Sequence, residues 1–388
     1  MRTSDDPKAV ARAGRDELSV ALLDTRNQLL QALSAFGQPV TNAALRVALA
    51  AGWYQEHWIS RHVQRSRGLA CDPAGVRLAG VEPRIVLWLV PMAGIAEPAT
   101  PDSATVRSYL AQTLEITLDL LASAAQDDAA LYFYRQALLH EDRLVEALAV
   151  LLQRGAPAAR VQRAPLWLAA QRVQLGTQEA GWRVHNEQGV LIVDVPEFEI
   201  DAQAVNWLQF SEFAADGGYD RSQWWSSEGW QWLQAFAATA EGPRRAPRHV
   251  EQIQSGVLVQ RGSLGLVHAA PGQAAMHVSR HEAQAWCRWA GRRLPTEAEW
   301  QAAATSAASR GFVWGDVFEW VAGTARAWPG SGPSSPGCLD VTPGAERSFG
   351  VLRGASFATL PRRRSISARR FMSPGHDQDF VGFRSCSI

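Results

Sequence analysis

The feature that most constrains this chain is a change of texture near residue 155. Before it, apolar side chains recur at three- and four-residue spacing through four long segments. After it, apolar runs shorten, while Gly, Pro and Trp become frequent. A segment with helical period has one apolar stripe to bury, and four such segments can bury their stripes against one another. Segment 15–36 carries Leu18, Leu22, Leu29, Leu33 and Phe36. Segment 43–66, entered through Thr41-Asn42, runs through Trp53, Tyr54 and Trp58. Segment 103–124 starts at Asp102-Ser103 and carries Tyr109, Leu110, Leu114, Leu118 and Leu121. Segment 127–153 carries Leu131, Phe133, Leu138, Leu139, Leu144, Leu148 and Leu151. The polar residues before these segments are of the kind that cap helix N-termini. With a Pro/Gly-rich crossover at 68–101 between the second and third segments, the pattern predicts a four-helix bundle over 1–155.

The stretch RGAPAARVQRAP at 154–165 is rich in Ala, Pro and Arg and reads as the start of a linker, placed at 156–174. Residues 175–388 then form a second, irregular domain, so the fold class expected is α+β and multidomain. Two helices stand out there, 203–215 and 280–304, the latter broken at Gly291 and Pro295. In the run RRLPTEAEW, Thr296 and Glu299 have the three-residue spacing of a capping box. Gly354 and Gly382 sit in turns that suit a close backbone approach.

Composition narrows the function classes. Lys plus Arg and Asp plus Glu number 38 each, so the formal net charge is zero and nothing favours a nucleic acid or membrane-surface partner. The densest basic stretch, Arg362, Arg363, Arg364, Arg369 and Arg370, reads as a solvated loop. The most apolar run, 85–96, contains Pro91 and falls far short of a membrane span. The first twenty residues are charged and lack the apolar core of a secretion signal. Cys71, Cys287, Cys338 and Cys386 are scattered with no CxxC pair and read as reduced thiols, Cys287 packed inside a helix. A cytoplasmic protein is expected. No GxSxG, P-loop, GxGxxG or HExxH pattern is present.

Several ordered stretches of the second half carry a resemblance: VNWLQFSEFAADGGYD (205–220), SEGW (227–230), HVSRHEAQAWCRWAGRRLPTEAEW (277–300), WGDVFEW (314–320), VLRGASFAT (351–359) and VGFRSC (381–386). Together they resemble the formylglycine-generating-enzyme-like, or sulfatase-modifying-factor-like, domain, an irregular C-type-lectin-like α+β fold. In the first half, WYQEHWISRHVQR (53–65), CDP (71–73) and QDDAALYFYRQALLHED (126–142) resemble the DinB-like bundle of the ergothioneine and selenoneine synthases, nearer to the selenoneine side. That resemblance implies a bundle supplying three iron-binding histidines, a cap that helps hold a trimethylated histidine, and oxygen-dependent C–S or C–Se bond formation.

The implied iron site is degenerate here. The resemblance places its first histidine three residues before Trp53-Tyr54-Gln55-Glu56, where this chain has Ala50. The other two belong to a His-x3-His-x-Glu pattern, which stacks two imidazoles on one helix face. Here it reads His140, Leu144 and Glu146, so one histidine and the outer glutamate remain. One imidazole does not hold Fe(II) against water, because open-site non-heme iron generally takes three protein ligands. His57 and His62 lie too far along the helix to replace the missing pair, and Glu141 and Asp142 are off the His140 face. The cap has changed as well: Arg369-Arg370-Phe371 stands where the family tends to read Arg-Asn-Phe, and no tyrosine follows Tyr219. Asp316 and Glu319 are the acids that a calcium ion in this fold would use.

These residues predict a paralogue without oxygenase chemistry and with no cofactor. It would be a protein that binds a small betaine or histidine-derived ligand, or that partners an active synthase paralogue. Trp53, Tyr54, Arg370 and Phe371 are the candidate ligand contacts. The alternative is an active Fe(II) enzyme with displaced ligands.

Overall fold

The computed structural model describes residues 6–89, 101–177, 184–239, 242–254, 257–262, 265–331, 336–338 and 348–388. The first half contains a short α1 (Pro7–Val10), the long helices α2 (Arg15–Ser34) and α3 (Asn42–Gln55), a short α4 (Ile85–Leu89), and the long helices α5 (Ser103–Ala122) and α6 (Asp128–Leu151). Thr41, Asp102 and Asp127 each accept a bond from a first-turn N–H and so fix where α3, α5 and α6 begin. Helix α3 does not run on as an α-helix to residue 66. It passes into a π-helical turn, Glu56–Ser60, which rotates the rings that follow.

Helix α6 packs on α2 and α3, and α5 packs on the same two, which closes the four-helix bundle. The periodic residues are the ones buried: Leu18, Leu22, Leu114, Leu121 and Leu131 form one apolar cluster, and Leu29, Leu33, Leu49, Leu110 and Leu148 form another. Full burial of a leucine is worth about 1.5–3 kcal/mol, so the stripes account for the bundle without help from propensity. The acid Glu56 is also interior, accepting from Tyr109 Oη at 2.6 Å and Val81 N at 3.0 Å. Buried acids are tolerated when they are hydrogen-bonded in this way.

The second half forms the cap. Its elements are β1 (Leu166–Leu168), β2 (Gln171–Thr177), β3 (Gly189–Val195), β4 (Phe198–Ile200), α7 (Trp207–Ala215), α8 (Ser227–Ala235), β5 (Val250–Gln254), β6 (Val257–Gly262), β7 (Gly265–His268), α9 (Arg280–Trp289), α10 (Glu297–Ser306), β8 (Phe318–Val321), β9 (Gly350–Gly354), β10 (Arg369–Met372) and β11 (Val381–Phe383). This is the α+β class expected. The linker assignment needs correcting: β1 and the start of β2 lie within 156–174, and β1 pairs with β4 through Leu168↔Phe198. Alternation over three residues is too short to announce such a strand in advance.

Pro295, Thr296 and Glu299 behave as the spacing predicts. Thr296 Oγ1 accepts from Glu299 N while Glu299 accepts from Thr296 N, opening α10 after the break. The largest sheet has the order β10-β9-β8-β11. Between its layers, Arg384 bonds both oxygens of Glu319, and Trp300 Nε1 donates to the same carboxylate at 2.8 Å. A side chain on Gly382 would meet Ala275 O at 2.4 Å, so the close approach there requires glycine. In β10, successive side chains point to opposite faces. Arg369 and Phe371 are therefore buried in the cap, whereas Arg370 turns toward the bundle.

Candidate functional site at the junction of bundle and cap

The three positions at issue lie on α3 and α6. The structure brings Ala50 and His140 together: His140 Nε2 donates to Ala50 O at 3.2 Å. A carbonyl only accepts, so Nε2 carries the ring proton and the free lone pair is on Nδ1. Burial, joined by the charge of Arg143, lowers the His140 pKa to about 4 despite the Ala50 carbonyl, so the imidazole is neutral. Leu144, one turn further along α6, packs with Trp53, Val145 and Leu148 in an apolar cluster.

None of the other donors considered joins His140. His57 stacks on Trp53 with ring centroids 4.9 Å apart. His62 has both nitrogens engaged, Nε2 with Asp72 O at 3.1 Å and Nδ1 with Gln64 N at 3.1 Å. Glu141 is paired with Arg26 in the bundle interior. Among the described residues no group of three His, Cys, Asp or Glu side chains is placed to share a metal ion. The residues present do not fit an open-site iron, which needs several converging donors. The acids suggested for calcium are taken as well: Asp316 holds Arg160 at 2.6 and 2.8 Å, and Glu319 holds Arg384.

Each ligand candidate makes contacts within the protein. Tyr54 is fully buried, its ring 4.9 Å from that of His140, and its hydroxyl donates to Gly337 O of the cap at 2.9 Å. Tyr132 does the same to Pro336 O at 2.9 Å. Burial pushes the Tyr54 hydroxyl well above its usual pKa, so it remains a donor. Gly337 has φ +71°, and a side chain there would come within 2.8 Å of the Tyr54 oxygen. Among the described residues Trp53 carries no bond to the cap; its ring lies against His57. Phe371 is 3% exposed within the cap core. Arg370 pairs with Glu146 at 2.5 Å and lays its guanidinium over Phe318, 3.9 Å from the ring centroid.

The arginine stretch read as a solvated loop is instead largely the joint between the domains. Arg362, only 4% exposed, bonds Asp142 of α6 at 2.7 and 2.9 Å and Asp24 of α2 at 2.7 Å. Arg369 pairs with Glu297 at 2.7 and 3.0 Å. Glu146 of α6 accepts from Thr359 Oγ1 at 2.7 Å as well as from Ser356 and Arg370. Only Arg364 stays exposed. A signal was available: Asp142 and Glu146 are acids one turn apart on a helix long enough to be packed on several sides, and buried acids need partners. Cys287 and Cys386 are buried, which pushes both thiols up and makes them poor nucleophiles.

A helical bundle covered by a cap that docks through arginines and serine or threonine hydroxyls makes this a two-domain α+β protein. Residues 157–316 match the sulfatase-modifying factor enzyme 1-like domain. The chain is 30% identical to the hercynine oxygenase of Mycolicibacterium smegmatis, over 74% of this chain and 78% of that protein. It is 29% identical to the Mycobacterium tuberculosis protein of the same name, over 72% and 77%. With the Mycolicibacterium thermoresistibile hercynine oxygenase it shares 26% identity over 97% and 95%. The chain belongs to the hercynine oxygenase family. No helix among the described residues is long and apolar enough to cross a membrane.

Proposed function

We propose that this chain is a member of the family that has given up the iron site, and that it acts as a non-oxygenase binding protein or as the partner of an active synthase. The observation that carries this reading is the bond from His140 Nε2 to Ala50 O. Methyl and isobutyl groups at positions 50 and 144 have no lone pairs, and the remaining imidazole spends its N–H on a backbone carbonyl. An ion there would have one protein donor, Nδ1, against the several that Fe(II) requires.

A betaine bound beside Arg370 is disfavoured by the packing around that side chain. The aromatic face of Phe318 and the carboxylate of Glu146 are the features that would attract a quaternary ammonium, and the Arg370 guanidinium already occupies both. The second reading, an active iron enzyme forming a C–S or C–Se bond on trimethylhistidine, draws on the name of the relatives. It needs a donor set that His57 and His62, held by their neighbours, do not supply.

The test is metal analysis of protein produced with ample iron, combined with single-turnover assays under oxygen using hercynine and a thiol. Far less than one iron per chain and no product is the expected result. Stoichiometric iron removed by chelator, with product formed, overturns the proposal.

A further inference from the structure

A cavity of about 300 Å³ lies between the two domains, bounded by α1 and α6 on one side and by cap residues 362, 363 and 365–368, Glu187 and Gln301 on the other. It is separate from the His140 position. Leu138 and Asp142, which line it, are each two residues from His140, about 160° away around a helix of 3.6 residues per turn. Its wall has an apolar part, Leu138, Leu139 and Ile366, and a polar part, Ser365, Glu187 and Arg363.

Arg363 is the anomaly. Arg362, Arg369 and Arg370 each hold a carboxylate, and Arg364, which bonds backbone carbonyls, is exposed. Arg363 holds none among the described residues; its one hydrogen bond runs from Nη1 to Leu139 O at 3.1 Å. A guanidinium has five N–H donors in a planar fork that fits an oxyanion through two parallel bonds. Arg363 is half-buried, and a cation drawn partly out of water is costly unless it is paired; Arg143 and Arg370 repel it, while Asp142 and Glu146 attract it from nearby. Burial, with Arg143 next, holds the Arg363 pKa down at about 9. A protein keeps such a group in a cavity at a cost in stability unless something in the cavity offsets that cost.

We infer that this cavity binds a small organic acid, with its carboxylate on Arg363, a short apolar body against Leu138, Leu139 and Ile366, and a hydroxyl within reach of Glu187 or Ser365. The volume limits the ligand to roughly the size of an amino acid. Because the walls come from both domains, the ligand would also strengthen their docking. The inference stands whether or not the chain holds iron.

The experiment is a thermal-shift titration of the full chain with 2-hydroxyisocaproate, its neutral amide, inorganic phosphate and sodium chloride at matched ionic strength. A ligand that binds only the folded state raises the melting temperature saturably. The expected result is a shift of several degrees with 2-hydroxyisocaproate, little with the amide or chloride, and loss of the shift in Arg363→Gln but not in Arg364→Gln. If Arg363→Gln does not fold, Ser365→Trp, which fills the cavity and keeps the cation, decides: the shift should vanish there too. No response to 2-hydroxyisocaproate beyond chloride, a response retained in Arg363→Gln or Ser365→Trp, or saturable binding of phosphate alone overturns the assignment.

Discussion

Arg362 of the cap and Asp142 of α6 form a two-pronged ion pair, Nη2 to Oδ1 at 2.7 Å and Nε to Oδ2 at 2.9 Å, between residues 220 positions apart in the chain. Both are buried, and Arg362 also reaches Asp24 on α2. One cap side chain thus ties two bundle helices to the second domain. Removing one partner of a buried pair leaves the other charge stranded in low dielectric, which is a greater loss than the pair's net contribution.

Arg362→Ala is therefore expected to destabilise the protein by about 3–5 kcal/mol. Arg362→Met combined with Asp142→Leu should recover much of that loss, because apolar groups of similar volume need no counterion. Denaturant melts of the two variants check this; equal losses in both would count against the stranded-charge account.

The docking of Glu146 should be lost in acid. Burial opposes its ionised form, but Arg370 and the hydroxyls of Ser356 and Thr359 outweigh burial and lower its pKa below the usual carboxylate range. A carboxyl whose folded pKa is depressed contributes stability that is present above its unfolded pKa of 4.5 and lost as pH falls through the lower folded value. Glu146→Gln should flatten the pH dependence of stability below pH 4.5 and weaken the protein at neutral pH, as read by melts across pH.

His140 works in a neighbouring window. Its folded pKa of about 4 lies below the ordinary 6.5, so between those values the unfolded chain holds a proton that the folded chain does not. Stability should fall as pH drops from 6.5 to 4, by up to about 1.4 kcal/mol per pH unit from this residue. His140→Gln should remove that part of the slope. An unchanged slope would mean that the imidazole is charged or exposed.

Donors added at positions 50 and 144 should create a metal site. Ala50→His with Leu144→His places two further imidazoles on the faces that carry Ala50 and Leu144, which are only partly buried. Calorimetry under anaerobic conditions should find tight Fe(II) binding in the double variant and weak or no binding in the parent. Equal binding in both would show that positions 50 and 144 do not face a common site.

The hydroxyl of Tyr54 holds the cap segment through Gly337 O. Tyr54→Phe keeps the ring and removes the donor, leaving a carbonyl without its partner, so a loss of about 1–3 kcal/mol is expected. Faster proteolysis near residue 337, measured against the parent, is the companion readout.

Much of this was legible in the linear chain. Helical period in 15–36, 103–124 and 127–153 announced α2, α5 and α6, because a stripe every three or four residues has one geometry that buries it. The spacing of Thr296 and Glu299 announced the start of α10 because a capping box is local. That Ala50 and Leu144 offer no lone pair to a metal is a matter of side-chain chemistry and needs no fold to state.

What only the tertiary structure decided is which groups meet. Arg369 and Arg370 are chemically identical neighbours, yet one lies in the cap core on Glu297 and the other crosses to Glu146 of the bundle. Strand alternation separates them, and the register of β10 on β9 fixes which side each takes. The same holds for Arg362, Arg363 and Tyr54: composition supplies a charge or a hydroxyl, but its partner is set by packing between segments that share no local period. Local order follows from forces acting within a helical turn; a domain joint depends on contacts between residues hundreds of positions apart.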